Sequence, residues 1–332
     1  MTMHNPHHNA RKSPSDGFII VAVLWILAAL ATLASIFSIY LANTATFISL
    51  NDNAIQTEAL VSAGLELTAY QVSAPKRANN LPTASTREDA NFPPPPTRGD
   101  FNFRLGRANV AVNFISEAAR IDINAVTTQL LANFFTVLGI QRQAAEQYTE
   151  RIEAWTTKPR PKSTFVGASQ DEEEGLYRAA GRSYSPRGGP FAHIEELSLV
   201  LDLPPALIER VKPFITVYSG KPQIDVLDAA PEVVAAIPGI TPGLLNTLSE
   251  ARRTGASPQS MAGMLGVLQG VATIDGGNTY RVQVRIRYDN GRQAASEVVI
   301  LTGLTDKPYR VLYWRDELEG SSNLAQPPLL AR

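Results

Sequence analysis

The side chains of this sequence that have the chemistry for catalysis do not form a known catalytic pattern. His193 is followed by Glu195 and Glu196, but the second histidine of the H-E-x-x-H zinc motif is missing. The sequence contains neither a G-x-S-x-G nucleophile elbow nor a glycine-rich phosphate loop that ends in Lys-Ser or Lys-Thr. It has no cysteine, which excludes thiolate catalysis, cysteine metal sites and disulfides. We therefore predict that the chain is not an enzyme.

One run of acidic side chains remains as a candidate ligand set. Asp171, Glu172, Glu173 and Glu174 are consecutive, and carboxylate oxygens are the ligands that hard cations prefer. Runs of like charge are, however, more often solvated surfaces than metal sites. The solvated surface is the favoured interpretation, and the four carboxylates stay as metal candidates beside it.

The longest uninterrupted feature is an apolar run at residues 18–42, with no charge between Asp16 and Asp52. A helix rises about 1.5 Å per residue, so this run can cross the roughly 30 Å hydrocarbon layer of a membrane. Arg11 and Lys12 precede it, and the next basic residue is Lys76. Because positive charge marks the cytoplasmic side, we predict a single-pass inner-membrane protein with a cytoplasmic N-terminus and a periplasmic C-terminal part.

The net charge of the chain is close to zero, which gives no attraction to a strongly charged partner. The 332 residues include 30 basic and 31 acidic residues, so the chain has no net field that would attract nucleic acid. The length beyond the apolar run suffices for about two domains.

Hydrophobic periodicity divides the exported part into sheet and helix segments. Apolar residues alternate at 101–114 and at 280–301, which predicts two β-hairpins, and 309–314 is a candidate edge strand. Helical spacing predicts a continuation of the membrane helix over 43–72. It also predicts short helices at 126–135, 141–155, 194–201, 205–211, 231–236 and 242–253. Proline-rich 75–100 is predicted to be an extended loop, and 156–190 to be irregular.

These segments predict an α+β fold: a long N-terminal transmembrane helix, a small antiparallel sheet, and an inserted all-α domain between the strands. The predicted divisions are a leader at 1–17, a transmembrane helix at 18–42, its periplasmic extension at 43–74, an α+β domain at 75–121 and 271–316, an inserted helical domain at 122–270, and a tail at 317–332.

The junction before the apolar run, Ser15-Asp16-Gly17 followed by Phe18, resembles the processing site of type IV prepilins and pseudopilins. The resemblance implies that a prepilin peptidase cleaves after Gly17 and that the new N-terminal residue, Phe18, becomes N-methylated. The alternative is that Gly17 merely ends a polar leader before an ordinary signal anchor. Most family members have Glu at the fifth position of the mature helix, where this chain has Ala22. One minor component, the K-type pseudopilin of type II secretion, shares this departure.

Several short phrases in the exported part also resemble the K-type minor pseudopilin, and they occur in the same order. The phrases lie at 119–124, 153–155, 171–177, 191–200, 207–217, 224–231 and 237–240. Each is weak alone, but with the leader the ordered set covers most of residues 15–301. The chain is thus identified as resembling the general secretion pathway protein K family, over most of its length.

The resemblance implies a minor pseudopilin that caps or initiates the periplasmic pseudopilus of a type II secretion system. The partners that it implies are other minor pseudopilins, the major pseudopilin, prepilin peptidase and the inner membrane, with exported substrate proteins as candidates. Ala22 is then the assembly residue. In pilin-like filaments the Glu at this position is thought to pair with a neighbour's N-terminal amine, and a subunit at the tip has no neighbour above it whose amine needs neutralising.

The family resemblance also raises calcium, and here the chain departs from the pattern. Family members usually have acidic residues beside the tryptophan in a loop that helps to bind calcium, whereas Trp155 is followed by Thr156, Thr157 and a cationic stretch at 158–160. A cationic loop opposes calcium binding. We expect no cofactor, with calcium as a doubtful candidate.

A second function stays open at residues 237–240. Ile237-Pro238-Gly239-Ile240 looks like the turn of a helix-hairpin-helix, which would suit a single-pass periplasmic binding protein of a DNA-uptake or type IV pilus machine. Residues 204–256 contain five basic and five acidic side chains, and phosphate binding needs an excess of cations. We therefore expect no nucleic-acid partner.

Overall fold

The computed structural model describes residues 15–79, 95–158, 168–268 and 270–317. The predicted leader as far as residue 14 and the predicted tail from residue 318 lie outside these ranges. The chain divides into two compact units, Met1–Ala59 and Leu60–Arg332.

The described residues form eight α-helices, nine strands and a few 3₁₀ turns. In chain order they are α1 (Ser15–Asn79), β1 (Arg98–Leu105), β2 (Ala108–Ser116), β3 (Ile121–Asp122), α2 (Thr128–Val137), α3 (Arg142–Thr156), α4 (Ala168–Ala179), α5 (Pro205–Val211), β4 (Ile215–Thr216), β5 (Ile224–Asp225), α6 (Pro231–Ala235), α7 (Pro242–Arg253), α8 (Pro258–Leu265), β6 (Ala272–Thr273), β7 (Thr279–Tyr288), β8 (Gln293–Thr302) and β9 (Tyr309–Glu317).

The long helix confirms the predicted continuation beyond the apolar run and corrects its end. α1 runs through Pro75 to Asn79, and β1 already begins at Arg98, so the loop predicted over 75–100 is too long at both ends. Proline fixes φ near the helical value and costs a helix one backbone hydrogen bond, so a single proline need not end it.

Five strands form an antiparallel sheet in the order β1-β2-β7-β8-β9. Both predicted hairpins and the predicted edge strand are therefore confirmed. The strands on either side of the long insertion are direct neighbours, with Val112 opposite Val284 and Ser116 opposite Tyr280. The chain thus leaves the sheet and returns to it at the same end of two adjacent strands.

One face of this sheet packs against α1 and forms the first hydrophobic core. Leu60, Val61, Leu65, Ala69 and Val72 of the helix are buried against apolar side chains of the sheet. Gly64 permits this close packing, because a Cβ placed there would lie 3.1 Å from Val112 Cγ2. The alternating apolar face of the strands and one stripe of the helix therefore cover each other.

A second hydrophobic core lies in the segment between Ala119 and Ala272. This segment, called the helical block below, contains two lobes of similar plan. Each lobe starts with an Ile-Asp strand, continues through helices and returns to pair in parallel with the first strand: β3 with β4, and β5 with β6. Gly139 and Gly239 have φ of 88° and 84° at the turn after the first helix of each lobe, a conformation that favours glycine.

The helical content of the block agrees with the prediction, but its details differ. Helix α4 lies inside 156–190, which was predicted to be irregular, so that prediction is wrong for Ala168–Ala179. This acidic segment contains no proline and several good helix formers. It was missed because prolines, glycines and arginines are frequent on either side of it. The predicted helix at 194–201 is a 3₁₀ turn at Ile194–Leu199. The short parallel strand pairs and α8 were not predicted.

Candidate functional site

The first candidate site is the apolar part of α1. Ile20–Leu41 has a mean hydropathy of 2.6, and none of the residues in its most apolar window is buried within the protein. In the described residues it is the one helix that is long and apolar enough to cross a membrane. Trp25, for example, is 74% exposed. An apolar surface this large requires lipid or a protein partner, which supports a single membrane anchor at the predicted position.

The three residues predicted for processing and assembly lie on this helix. α1 begins at Ser15, so Gly17 and Phe18 fall in its first turn, and Ala22 lies within the apolar span. The side chain of Ala22 is half-buried. Cleavage after Gly17 and a role for Ala22 in assembly stay predictions.

In the second unit, α1 presents two different faces. Val61, Leu65 and Val72 are buried against the sheet, whereas Leu67 and Tyr70 are 41% and 68% exposed. Leu67 and Tyr70 are three positions apart and therefore lie on the same side of the helix, in a second, exposed stripe. The second stripe is free to contact another protein.

A second candidate site joins the sheet to the helical block through a buried ion pair. Arg281 on β7 donates from Nε to Glu117 Oε1 at 2.7 Å and from Nη1 to Glu297 Oε1 at 2.5 Å. Glu117 follows β2, where the chain enters the block, and its side chain is fully buried. Glu297 lies on β8, opposite Gln283 of β7. One guanidinium therefore neutralises two carboxylates, one at the entry to the block and one in the sheet.

The electrostatics of this cluster show that its charges are maintained by each other. Burial alone would raise the pKa of Glu117, but Arg281 and Arg120 outweigh burial and hold the pKa below its usual range. Burial would lower the pKa of Arg281, yet Glu117 and Glu297 raise it. Half-buried Arg120 has its pKa lowered to about 10 by burial and by the charge of Arg281. All three charges thus persist at neutral pH.

Further contacts connect the block to the sheet around this cluster. The Thr216 hydroxyl of β4 donates to Glu117 Oε2. The ring of Tyr218, just beyond β4, lies 6.1 Å from that of Tyr313 on β9. In the second lobe, Asp228 accepts hydrogen bonds from the Thr97 hydroxyl and, at 3.4 Å, from Arg98 at the start of β1. Both lobes are therefore fastened to the sheet by side chains as well as by the chain itself.

The two Ile-Asp strands of the lobes differ in how their aspartates are satisfied. Asp122 accepts from the backbone amides of Asn124 at 2.9 Å and Gly220 at 2.7 Å, using both carboxylate oxygens. Among the described residues, the carboxylate of Asp225 accepts a hydrogen bond only from the Leu227 amide, and its buried Oδ2 has no partner there. Burial, with a contribution from Asp228, raises the pKa of Asp225 to about 7.

The four candidate metal ligands lie on α4, and the structure describes the side chains of two of them. Glu173 pairs with Arg151 at 2.8 Å, and Glu174 pairs with Arg178 one turn away at 3.2 Å. The side chains of Asp171 and Glu172 lie outside the described residues. Across the part of the chain that is described, no group of three or more histidine and acidic side chains is arranged to hold a metal ion.

The candidate helix-hairpin-helix turn at 237–240 connects α6 to α7. The nearby basic side chains are used within the protein: Arg252 donates to the carbonyl oxygens of Val226 and Ala229, and Arg253 pairs with Glu250 at 2.6 Å. Phosphate binding draws its affinity from available cations. The turn therefore serves the packing of the second lobe better than it would serve DNA.

The second site was missed from sequence because its members are far apart in the chain. Glu117 and Arg281 are separated by 164 positions, and a single sequence carries no sign of which distant residues meet. One signal was available for the aspartates, since the Ile-Asp pair at 121–122 recurs at 224–225. The repeated pair could have predicted two lobes with equivalent buried carboxylates.

Comparison with known proteins shows which family the first lobe resembles. Residues 108–220 match the family model described as type II secretion system (T2SS), protein K. Over these residues the chain is similar to the type II secretion system protein K family. The matched residues run from the start of β2 through the whole first lobe, and they contain Glu117. The match supports a minor pseudopilin of type II secretion.

The fold is also shared with a solved structure. A chain in the crystal structure of the GspK-GspI-GspJ complex from the enterotoxigenic Escherichia coli type 2 secretion system is 16% identical, with a TM-score of 0.56. The match covers 81% of this chain and 98% of that chain. It confirms the α+β fold with its long helix and added helical block. No curated protein sequence matches the chain.

The buried ion pair gives a direct stability prediction. The substitution Arg281→Met leaves Glu117 buried without its partner. We expect it to lower the free energy of unfolding by about 3–5 kcal/mol. Arg285→Met on the same strand is the matched control, since Arg285 is exposed and its loss should cost less than about 0.5 kcal/mol. Urea unfolding of the detergent-solubilised chain measures both. Equal stability of the two variants would contradict the role of the pair.

The unpartnered carboxylate of Asp225 gives a pH prediction. Its pKa is about 7 in the folded protein against an ordinary value of 3.8, so the folded state holds the proton more tightly. The buried carboxyl therefore costs no stability below about pH 4, and the protein loses stability progressively as the pH rises from about 4 to about 7. Asp225→Asn should remove this loss, which is up to about 4 kcal/mol above neutral pH, and should have little effect near pH 4.

The comparison for this experiment is Asp122→Asn in the first lobe, where burial also raises the pKa of the carboxyl but backbone hydrogen bonds oppose the rise. Both carboxylate oxygens of Asp122 accept backbone hydrogen bonds, and an amide can replace only one of the two acceptors. This substitution should destabilise the protein by about 1–3 kcal/mol. Free energies of unfolding measured between about pH 4 and pH 8 separate the cases. A pH profile that Asp225→Asn leaves unchanged would show that the carboxyl is not the cause.

Proposed function

We propose that this protein is the terminal subunit of a type II secretion pseudopilus and that its helical block acts as the cap. The observation that carries the proposal is the attachment of the block. A second hydrophobic core, from Ala119 to Ala272, is fastened to one end of the sheet. Thr216 of the block donates to Glu117, the buried partner of Arg281. Asp228 of the block accepts from Thr97 and Arg98. A bulky body held in this way obstructs the addition of a further subunit on that side.

The rigidity of the attachment matters for capping. A block joined only by its two chain crossings could swing aside, because isolated linkers have little angular stiffness. Here Arg281 of the sheet holds Glu117 at the entry to the block. Thr216 and Tyr218 of the first lobe contact this entry and the sheet, and Asp228 of the second lobe contacts the start of β1. Contacts from both lobes support a fixed obstacle.

Ala22 fits a position at the tip. A carboxylate within the hydrocarbon layer is costly unless it is paired, so an apolar residue suits a subunit with no neighbour above it. Ala22 lies within the span Ile20–Leu41. We therefore infer that the chain is laid down first during assembly and stays at the distal end.

The proposed location is the bacterial inner membrane, with the second unit in the periplasm. Arg11 and Lys12 before the span favour a cytoplasmic N-terminus. We propose other minor pseudopilins as partners, because the structurally similar chain occurs in a complex of GspK, GspI and GspJ. The exposed stripe of α1 with Leu67 and Tyr70 is the surface proposed to contact them and the major pseudopilin.

The proposed role is structural, without catalysis or nucleic-acid binding. The charge is balanced, and the arginines near the turn at 237–240 are bonded within the lobe. These features favour secretion over the DNA-uptake alternative.

Processing at Gly17 gives the first test. If prepilin peptidase acts on the chain, the mature protein begins at Phe18 and carries one additional methyl group. Mass spectrometry of the N-terminus in cells with active peptidase measures this directly. Gly17→Val is the control and should keep the leader. Retention of Met1 in the unsubstituted chain, or cleavage near Ala45, would remove the pseudopilin maturation proposed here.

Deletion of the helical block tests capping. Because Ser116 and Tyr280 are opposite each other on adjacent strands, residues 117–278 can be replaced by a short Asn-Gly turn. Arg281 keeps Glu297 as a partner in this variant. We expect the shortened chain to bind its partners through α1 but to allow longer pseudopili, measured by electron microscopy.

Immunogold labelling of the intact chain provides the companion measurement. A terminal cap predicts label at one end of each filament. Label along the whole filament, or unchanged filament length when the deletion variant is folded and binds partners, would rule out the cap.

A further inference from the structure

The acidic side chains of the first lobe are neutralised by arginines from other parts of the same lobe. Glu173 on α4 is paired with Arg151 on α3, with Nη1 and Oε2 2.8 Å apart. Arg151 also reaches Asp202, where the Nε to Oδ2 distance is 3.5 Å. Its guanidinium therefore lies between an acidic helix and the turn before α5.

A second arginine, Arg187, neutralises a carboxylate in the segment that follows α4. Arg187 Nη1 lies 2.5 Å from Glu196 Oε1, and the same oxygen accepts from the Ala192 amide at 3.2 Å. The pair closes the segment between α4 and the 3₁₀ turn at Ile194–Leu199. The side chains of Glu173 and Glu196 are only 13% and 16% exposed, so both carboxylates need a counter-charge.

Both ion pairs lie in loops and helices that pack on a cluster of aromatic side chains. The buried Trp155 stacks on Phe191, with ring centres 6.1 Å apart, and also contacts Tyr177 and Tyr184. The Tyr177 hydroxyl accepts from the Leu201 amide at 3.0 Å. The loops that carry Arg187 and Asp202 are thus packed on an aromatic cluster, where water cannot easily replace a lost counter-ion.

The calcium site that the family resemblance implies does not fit these residues. Calcium takes six to eight oxygen ligands, but the carboxylates of Glu173 and Glu196 are each already paired with an arginine, whose positive charge opposes a second cation beside it. No three acidic or histidine side chains come together within the described residues. The exposed Lys158 follows the helix of Trp155, and a cation there further opposes a second one.

We propose that Arg151 and Arg187 perform, in this protein, the charge-neutralising role of a bound divalent cation, so that the first lobe folds without calcium. The two guanidinium groups connect the acidic helix and the 3₁₀ turn to their neighbours and satisfy the half-buried carboxylates. The stability of the lobe then depends on arginine and not on the calcium concentration of the periplasm. This inference does not depend on the proposed capping role.

The test is thermal unfolding of the full chain in detergent, followed by intrinsic fluorescence, to which Trp155 contributes. The unsubstituted chain is measured with excess calcium chloride and with EDTA, and the two midpoints should be the same. Arg151→Met and Arg187→Met should each lower the midpoint by about 2–6 °C, because each leaves a half-buried carboxylate unpaired.

Arg178→Met is the matched control. Arg178 pairs with Glu174 on the same helix as Glu173, but the two side chains are 75% and 51% exposed, so its loss should leave the midpoint nearly unchanged. A midpoint of the unsubstituted chain that rises with calcium would overturn the proposal. So would Arg151→Met and Arg187→Met variants as stable as Arg178→Met.

Discussion

The organisation of this protein depends on one buried guanidinium. Arg281 is held between Glu117, at the exit from β2, and Glu297 on β8. Removing ions from water is expensive, and the cost is offset only when every charge is paired with good geometry. This pairing lies at the junction of the two hydrophobic cores, between which the chain crosses only twice. Paired charges therefore lie at the junction of the helical block with the sheet, whereas the interior of each part is held by apolar packing.

Sequence alone predicted those parts of the fold that rest on local periodicity. Ile20–Leu41 was recognisable because a bilayer demands a long uncharged run, and β7 with β8 because apolar side chains alternate around the turn at 289–291. Helix α4 was missed because its neighbours are rich in helix breakers. The match of residues 108–220 to the K family confirms a resemblance that rested on the order of weak phrases.

The candidate sites divide in the same way. Gly17, Phe18 and Ala22 were predicted from a family resemblance that depends only on position along one helix, and they stay predictions. The pairs Arg281–Glu117 and Arg151–Glu173 join residues that are remote in sequence, and nothing in a single chain marks them. The acidic run at 171–174 was noticed for its charge, but whether a carboxylate faces a metal or an arginine depends on the tertiary structure.

The position of the helical block between two neighbouring strands also has a consequence for the order of folding. Ser116 and Tyr280 are opposite each other in the sheet although the whole block separates them along the chain. Closing a disordered loop of that length is entropically costly, and contacts between distant residues slow folding. If the block collapses on its own core first, it brings the two strand ends together and shortens the effective loop. The central strand pair would then form last, after the insertion that divides it.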